Sequence, residues 1–413
     1  MDYDLNFRNR EINDMSAKFA IAIAIGLYFA GSVANAVQQT EHKAPAETIG
    51  PVNWTPLLLR PDRTTQVFQG SDGKYNVAYE VVLTNFSRNP TEIKKIEIVD
   101  ADNPNTVLLT LADKSFEPCL SLLAGKGTTM SPGDTGVLFV NVEGDSKTFP
   151  AALMHRVTVE YKNAVDQPAT LTYTCAPITL DHSAPVVIGP PLKGGPWIVL
   201  GGYSGTVGHR HADFPIDNHT FNAQRYAIDW IMLDKNNKSA NGPLLKNESC
   251  ICYGQPVFAV ADGTIAGTID RYQDQTPGKP AGEERVTYPG GNSVVINIGN
   301  GNYAFYAHLK PGSVLVKPGD TVKRGQKLAE VGNTGNTTGP HLHMHILTGP
   351  SMLSAPGVPY LFDQFEITGE IADINKVDSD DLDHLPHTVV ASKYKGIHKN
   401  ELPKEAVILK FAE

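Results

Sequence analysis

Polar and apolar residues alternate along much of this chain, most plainly near its later third. From His341 to Ile346 the sequence reads His-Leu-His-Met-His-Ile. A period of two sets His341, His343 and His345 on one face of a strand and Leu342, Met344 and Ile346 on the other. Asn292 to Ile298 and Tyr303 to His308 are two more predicted strands, closed into a hairpin by Gly299-Asn300-Gly301-Asn302, with Tyr306 and His308 on one face. Arg225 to Trp230 reads as a strand, and Pro256 to Gly263 as a strand ending in a turn. Turn-rich segments at Val316 to Asp320 and Val331 to Gly335 hold the histidine-bearing strands in place.

The same alternation fills the first half. Val77 to Thr84 is a strand, Ile96 and Ile98 alternate with Lys95 and Glu97, and Val157, Val159 and Tyr161 alternate with Arg156, Thr158 and Glu160. With turns such as Ser131-Pro132-Gly133-Asp134 between them, residues 50–180 are predicted to form an immunoglobulin-like β-sandwich. No catalytic constellation appears there, so a packing or spacer role is favoured over binding to a wall polymer or another envelope protein. Residues 181–197, rich in proline and glycine, read as a linker. A second domain is predicted over 198–350, and 351–413 as a C-terminal extension of peripheral strands packing on the domains. Stretches of helical period are nearly absent, so the fold class is all-β.

Composition narrows the class only slightly. A length of 413 residues, 41% of them hydrophobic, suffices for two domains with their own cores. The net charge of -9, with no dense basic cluster, argues against nucleic acid as a partner. Residues 1–36 have the form of a signal peptide: Lys18 precedes an apolar run from Phe19 to Ala30, and Ala34-Asn35-Ala36 supplies small residues for cleavage. Export to the periplasm or the medium is therefore expected, with an uncleaved membrane anchor as the alternative. An exported chain permits disulfides; Cys119 and Cys175 form one candidate pair, while Cys250 and Cys252 are open between a local bridge, free thiols and metal ligands.

The chemistry gathers on histidines and one acid. Asp229 lies inside the apolar run Ala227-Ile228-Asp229-Trp230-Ile231, where a carboxylate is costly unless a metal or a cation pairs with it. A hydrolytic zinc site needs three protein ligands, one open position for water, and groups that move protons and stabilise an oxyanion. Asp229, Ala261-Asp262-Gly263, Tyr306-Ala307-His308-Leu309, Gly332-Asn333-Thr334-Gly335 and Gly339-Pro340-His341-Leu342-His343, in this order, resemble the lysostaphin/LytM-type zinc endopeptidases that cut peptidoglycan cross-links. The resemblance spans roughly residues 201–349.

It implies a lysostaphin-like antiparallel β-sheet domain holding Zn²⁺, with Asp229 and His343 as ligands and His308 and His341 as catalytic imidazoles. It also implies peptidoglycan peptides as substrate and attack by metal-activated water with no acyl-enzyme. The remaining ligand of the family is a histidine, commonly four residues before the aspartate, and here that position holds Arg225. Some members place the histidine further upstream, where this chain offers His209, His211 and His219. His209 is preferred because it follows the segment Tyr203 to Gly208 and is able to end a strand facing Asp229. His345 stands where the family often has Glu and is expected to support the site rather than bind metal. The competing reading, favoured by Arg225, is a catalytically inactive member that binds wall peptides or regulates a partner hydrolase.

Overall fold

Long β-branched and aromatic runs, broken by glycine and proline turns, leave this chain little choice but strands, and its helical pieces are four short 3-10 turns among the described residues. The structure is a computed structural model that describes residues 54–413 except 62–64, 164, 206–207, 244, 280–286 and 378–385. The leader expected over residues 1–36 lies outside the described residues. Trp54–Glu413 form one compact unit, and no helix among the described residues is long and apolar enough to cross a membrane.

Two sheets make up the first half. One orders the strands Leu57–Pro61, Tyr75–Asn85, Thr135–Gly144 and Leu120–Leu122; the other runs from Thr65–Gln66 through Pro168–Asp181, Ala152–Lys162 and Thr91–Asp100 to Val107–Ala112. Val77, Tyr79, Val81 and Leu83 of the first sheet share a core with Ile96, Ile98, Val157 and Val159 of the second, as alternation requires of a sandwich. The opposite face of the first sheet is not left to water. Ala78 and Phe68 belong to the core of the second half, where the Phe68 ring meets Tyr203 and Tyr226 edge-on at 4.9 and 5.4 Å. Strand Tyr75–Asn85 is therefore buried on both faces over most of its length.

An eleven-stranded sheet dominates the second half. Along its centre lie Ser293–Gly299, Asn302–Ala307, Leu342–Leu347, Ile228–Met232, Trp197–Gly201, Val407–Lys410 and Phe365–Ile371, each bonded to the next. The C-terminal strands are thus not peripheral: Val407–Lys410 pairs directly with Trp197–Gly201, and Leu409 faces Trp197 in register. Nor is the proline-rich junction an extended spacer throughout, because Val186–Ile188 pairs in parallel with Tyr360–Phe362. All four cysteines are free thiols. The candidate pair Cys119 and Cys175 is thus not joined, Cys250 and Cys252 take the free-thiol alternative, and Cys252 donates to the Pro340 carbonyl at 3.0 Å.

Candidate metal centre

The histidine strand Leu342–Leu347 sits between the strands Ile228–Met232 and Asn302–Ala307, and the register of these pairs builds the site. Leu342, Met344 and Ile346 enter the main core. His343 and His345 therefore face the other way. Asp229 is the cross-strand partner of His343, so the pleat alone brings the carboxylate and the imidazole together, with His343 Nδ1 2.8 Å from Asp229 Oδ1. His341, one residue before the strand, places Nε2 3.4 Å from the same oxygen. The third direction is filled by His209, in the 3-10 turn Gly208–His211, whose Nε2 is 3.3 Å from Asp229 Oδ2. The ligand atoms of His209, Asp229 and His343 all lie within 4.8 Å of one another.

His308 reaches the site by breaking the strand pattern. Alternation predicts it on the face of Tyr306, but Tyr306 is in the core and its hydroxyl accepts from Val260 N at 2.9 Å. The strand ends at Ala307, and His308 takes a left-handed backbone, φ 60°, which turns its ring to the His343 side. The ring centres of His308 and His341 are 4.6 Å apart, and those of His308 and His343 5.7 Å. A non-glycine residue held in this region costs free energy and persists where surrounding bonds over-determine it. Here the His308 N–H donates to Gly290 O at 2.9 Å and Nδ1 bonds Thr334 O at 2.7 Å. Gly335 follows at φ 84°, its α-carbon packed so closely that an added β-carbon would meet Gly291 N at 2.4 Å.

The second nitrogen of each ring fixes its tautomer. His209 Nδ1–H donates to Ala227 O at 3.3 Å, His341 Nδ1–H to Gly339 O at 2.8 Å, and His308 Nδ1–H to Thr334 O, so Nε2 is the basic atom in all three. His343 is oriented the other way round: Nδ1 meets Asp229 Oδ1 at 2.8 Å and Nε2 meets His345 Nδ1 at 2.9 Å. His345 is fully buried behind it. Burial pushes His343 down to about 4 against the pull of Asp229. His308 also falls well below the ordinary imidazole range, through burial and then the neighbouring His341 and His343. At Asp229 burial acts upward, but His209, His341 and His343 outweigh it and hold the carboxyl well below its usual range. A divalent cation binds a deprotonated carboxylate and a neutral imidazole, the forms that these shifts favour at Asp229 and His343.

The other two upstream histidines lie elsewhere. His211 stacks on Phe139 of the sandwich, ring centres 4.1 Å apart, and His219 is exposed, with Nδ1 on the Asp217 carbonyl. Arg225 is committed to Glu80 of the sandwich, its Nε 3.0 Å from each carboxylate oxygen, and Arg210 binds the same carboxylate. Glu80, Arg210 and the Gly201 backbone beneath His209 escaped the sequence reading. Glu80 carried the signal that exposed Asp229, an acid within an apolar run.

This is an all-β protein whose sheet register assembles a two-histidine, one-aspartate cluster flanked by two further imidazoles. Residues 251–353 match the model of peptidase family M23. Relatives include an uncharacterized metalloprotease of Haemophilus influenzae, 36% identical over 115 residues, 26% of this chain and 20% of that protein. The peptidoglycan DD-endopeptidase ShyA of Vibrio cholerae is 37% identical over 94 residues, 23% of this chain and 18% of that protein. The chain thus spans about a fifth of the length of these relatives. Among solved structures, the catalytic domain of lysostaphin from Staphylococcus simulans aligns at 24% identity with a TM-score of 0.21, covering 38% of this chain and 83% of that one.

Proposed function

We propose that the chain is an exported zinc endopeptidase that hydrolyses the peptide cross-links of peptidoglycan. The observation that carries this reading is the convergence of His209, Asp229 and His343 beside His308 and His341. Two imidazole nitrogens and a carboxylate oxygen suit a divalent zinc ion and leave one coordination position for water or substrate. When bound there, zinc supplies a Lewis acid that polarises a carbonyl and lowers the pKa of a water to about 7.

The chain's own residues then divide the remaining work. Asp229 and His343 set the charge and direction of the centre from two neighbouring strands, and His345 engages Nε2 of His343, whose Nδ1 faces Asp229. His308 and His341 present Nε2 as bases, each anchored through Nδ1 on a backbone carbonyl. They accept or return a proton and stabilise negative charge on the substrate oxygen. The Arg225 that favours an inactive regulator is engaged by Glu80 of the sandwich, while His209 supplies the ligand in its place.

Incubating zinc-loaded protein with purified peptidoglycan and assaying new free amino groups tests this reading. Release is expected from wild type. Intact cross-links after digestion with fully loaded protein would instead establish the regulator. Export is checked separately, by mass spectrometry of protein recovered outside the cytoplasm, with cleavage expected near Ala36.

A further inference from the structure

The 3-10 turn Gly208–His211 puts one residue into the candidate centre and anchors the next two, Arg210 and His211, on the sandwich. His209 faces Asp229. The next residue, Arg210, is buried and donates through Nη1 to Glu80, and through Nη2 to the carbonyls of Tyr79 at 3.2 Å and Val140 at 2.9 Å. Its guanidinium also lies over the Phe139 ring, 5.4 Å from the centre, and His211 stacks on that same ring with planes 15° apart. Asn222 closes the backbone by donating to Arg210 O at 2.9 Å. Glu80 further takes Arg225, which precedes Asp229 by four residues, so one sandwich carboxylate holds both segments that bring His209 and Asp229 together.

We propose that the amino-terminal sandwich is part of the metal centre, and that Glu80 is a positioning residue that sets His209 against Asp229 through Arg210 and Arg225. This rests on the reading of His209, Asp229 and His343 as zinc ligands. Charge and geometry support it independently. The Glu80 carboxylate is buried and pairs with both arginines, one on each ligand segment. Bidentate guanidinium pairing fixes direction as well as distance, which a packing contact does not. Within the second half, the 3.3 Å bond from His209 Nδ1 to Ala227 O and the edge-on contact with His343 complete the orientation of the ring.

The test is the zinc affinity of the full chain, measured by chelator competition well below the unfolding temperature, with folding followed by circular dichroism. Glu80→Gln keeps the shape and removes the charge, and is expected to weaken zinc binding by about 10- to 100-fold, the usual effect of losing a group that orients a ligand. Cobalt-loaded Glu80→Gln should show altered absorption bands, because the geometry of the centre changes. In a His209→Ala background the same change should cost little more, since it acts through a ring no longer present. Leu83→Ala, a cavity in the same sandwich core, should lower the unfolding temperature and leave zinc affinity intact. If Glu80→Gln fails to fold, Phe139→Leu, which removes the stack under the turn and leaves the ion cluster, should weaken zinc binding in the same sense. Wild-type affinity in folded Glu80→Gln, or in Phe139→Leu where that variant stands in for it, would overturn the proposal while leaving the ligand assignment in place. Wild type that binds no zinc, or His209→Ala that binds it unchanged, would overturn the ligand reading and the proposal with it.

Discussion

At the scale of single residues, what separates the five histidines around Asp229 is which nitrogen is already spoken for. His343 turns Nδ1 to Asp229 because its Nε2 is engaged by His345, whereas His308 and His341 offer Nε2 because backbone carbonyls hold Nδ1. The roles should therefore come apart on substitution. His343→Ala is expected to lose bound zinc and peptidoglycan cleavage together. His308→Ala and His341→Ala should keep the metal and lose about 10²- to 10⁴-fold in turnover, the range for a positioned acid or base; metal analysis beside a cleavage assay reads both. Gly201 makes a sharper demand. It has φ 79°, and a β-carbon there would lie 2.8 Å from His209 Nδ1. Gly201→Ala should thus weaken zinc binding by displacing the ring, and destabilise the fold by about 1–2 kcal/mol for the left-handed backbone, as chelator competition and thermal unfolding would show.

Elements impose their own chemistry on the residues they carry. In the sandwich, strand Ala152–Lys162 buries His155 completely, with Nδ1 on Ala176 O at 2.8 Å and the Tyr79 hydroxyl on Nε2 at 3.1 Å. Burial lowers its pKa to about 4, while the unfolded chain protonates near the ordinary 6.5. Between these values the unfolded state holds the extra proton, so stability rises with pH there and is lost as pH falls from about 6.5 toward 4. Urea unfolding should show this loss, at most about 1.4 kcal/mol per pH unit from one proton, and His155→Phe should flatten that part of the profile. Strands of this kind were legible in the sequence, since a period of two survives wherever one face packs and the other does not. His343 and His345 against Leu342, Met344 and Ile346 show the period surviving where both faces are buried, because one face is polar and lines the centre. His308 was not legible in the same way, because a left-handed residue at a strand end interrupts the period and depends on bonds from Gly290 and Thr334, distant in sequence. The Asp229 signal was local, an acid in an apolar run, and so was open to reading. That Glu80 carried the same signal and met two arginines 130 and 145 residues away was a matter of tertiary packing.

For the whole molecule, the family resemblance over residues 201–349 understates what is needed to build the centre. Strand Trp197–Gly201, which backs His209 and pairs with the Asp229 strand, has its other edge covered by Val407–Lys410. Without the C-terminal residues that edge would expose unpaired backbone groups and the apolar side chains of Trp197 and Ile198. The amino-terminal side is equally committed. Removing the sandwich would leave Arg210 and Arg225 without Glu80, and leave Tyr203 and Tyr226 without Phe68. Losing one partner of a buried ion pair costs about 3–5 kcal/mol, a large part of the total stability of a domain. Two truncations follow from this. Residues 198–350 alone should yield little soluble protein, or protein with the circular dichroism and dye binding of a loosely packed chain. Residues 183–413, which keep the C-terminal strands and lose only the sandwich, should recover more strand signal yet bind zinc more weakly than the full chain. Equal zinc affinity in 183–413 and the full chain would show that the second half organises its ligands unaided, with the sandwich returned to the role of a spacer.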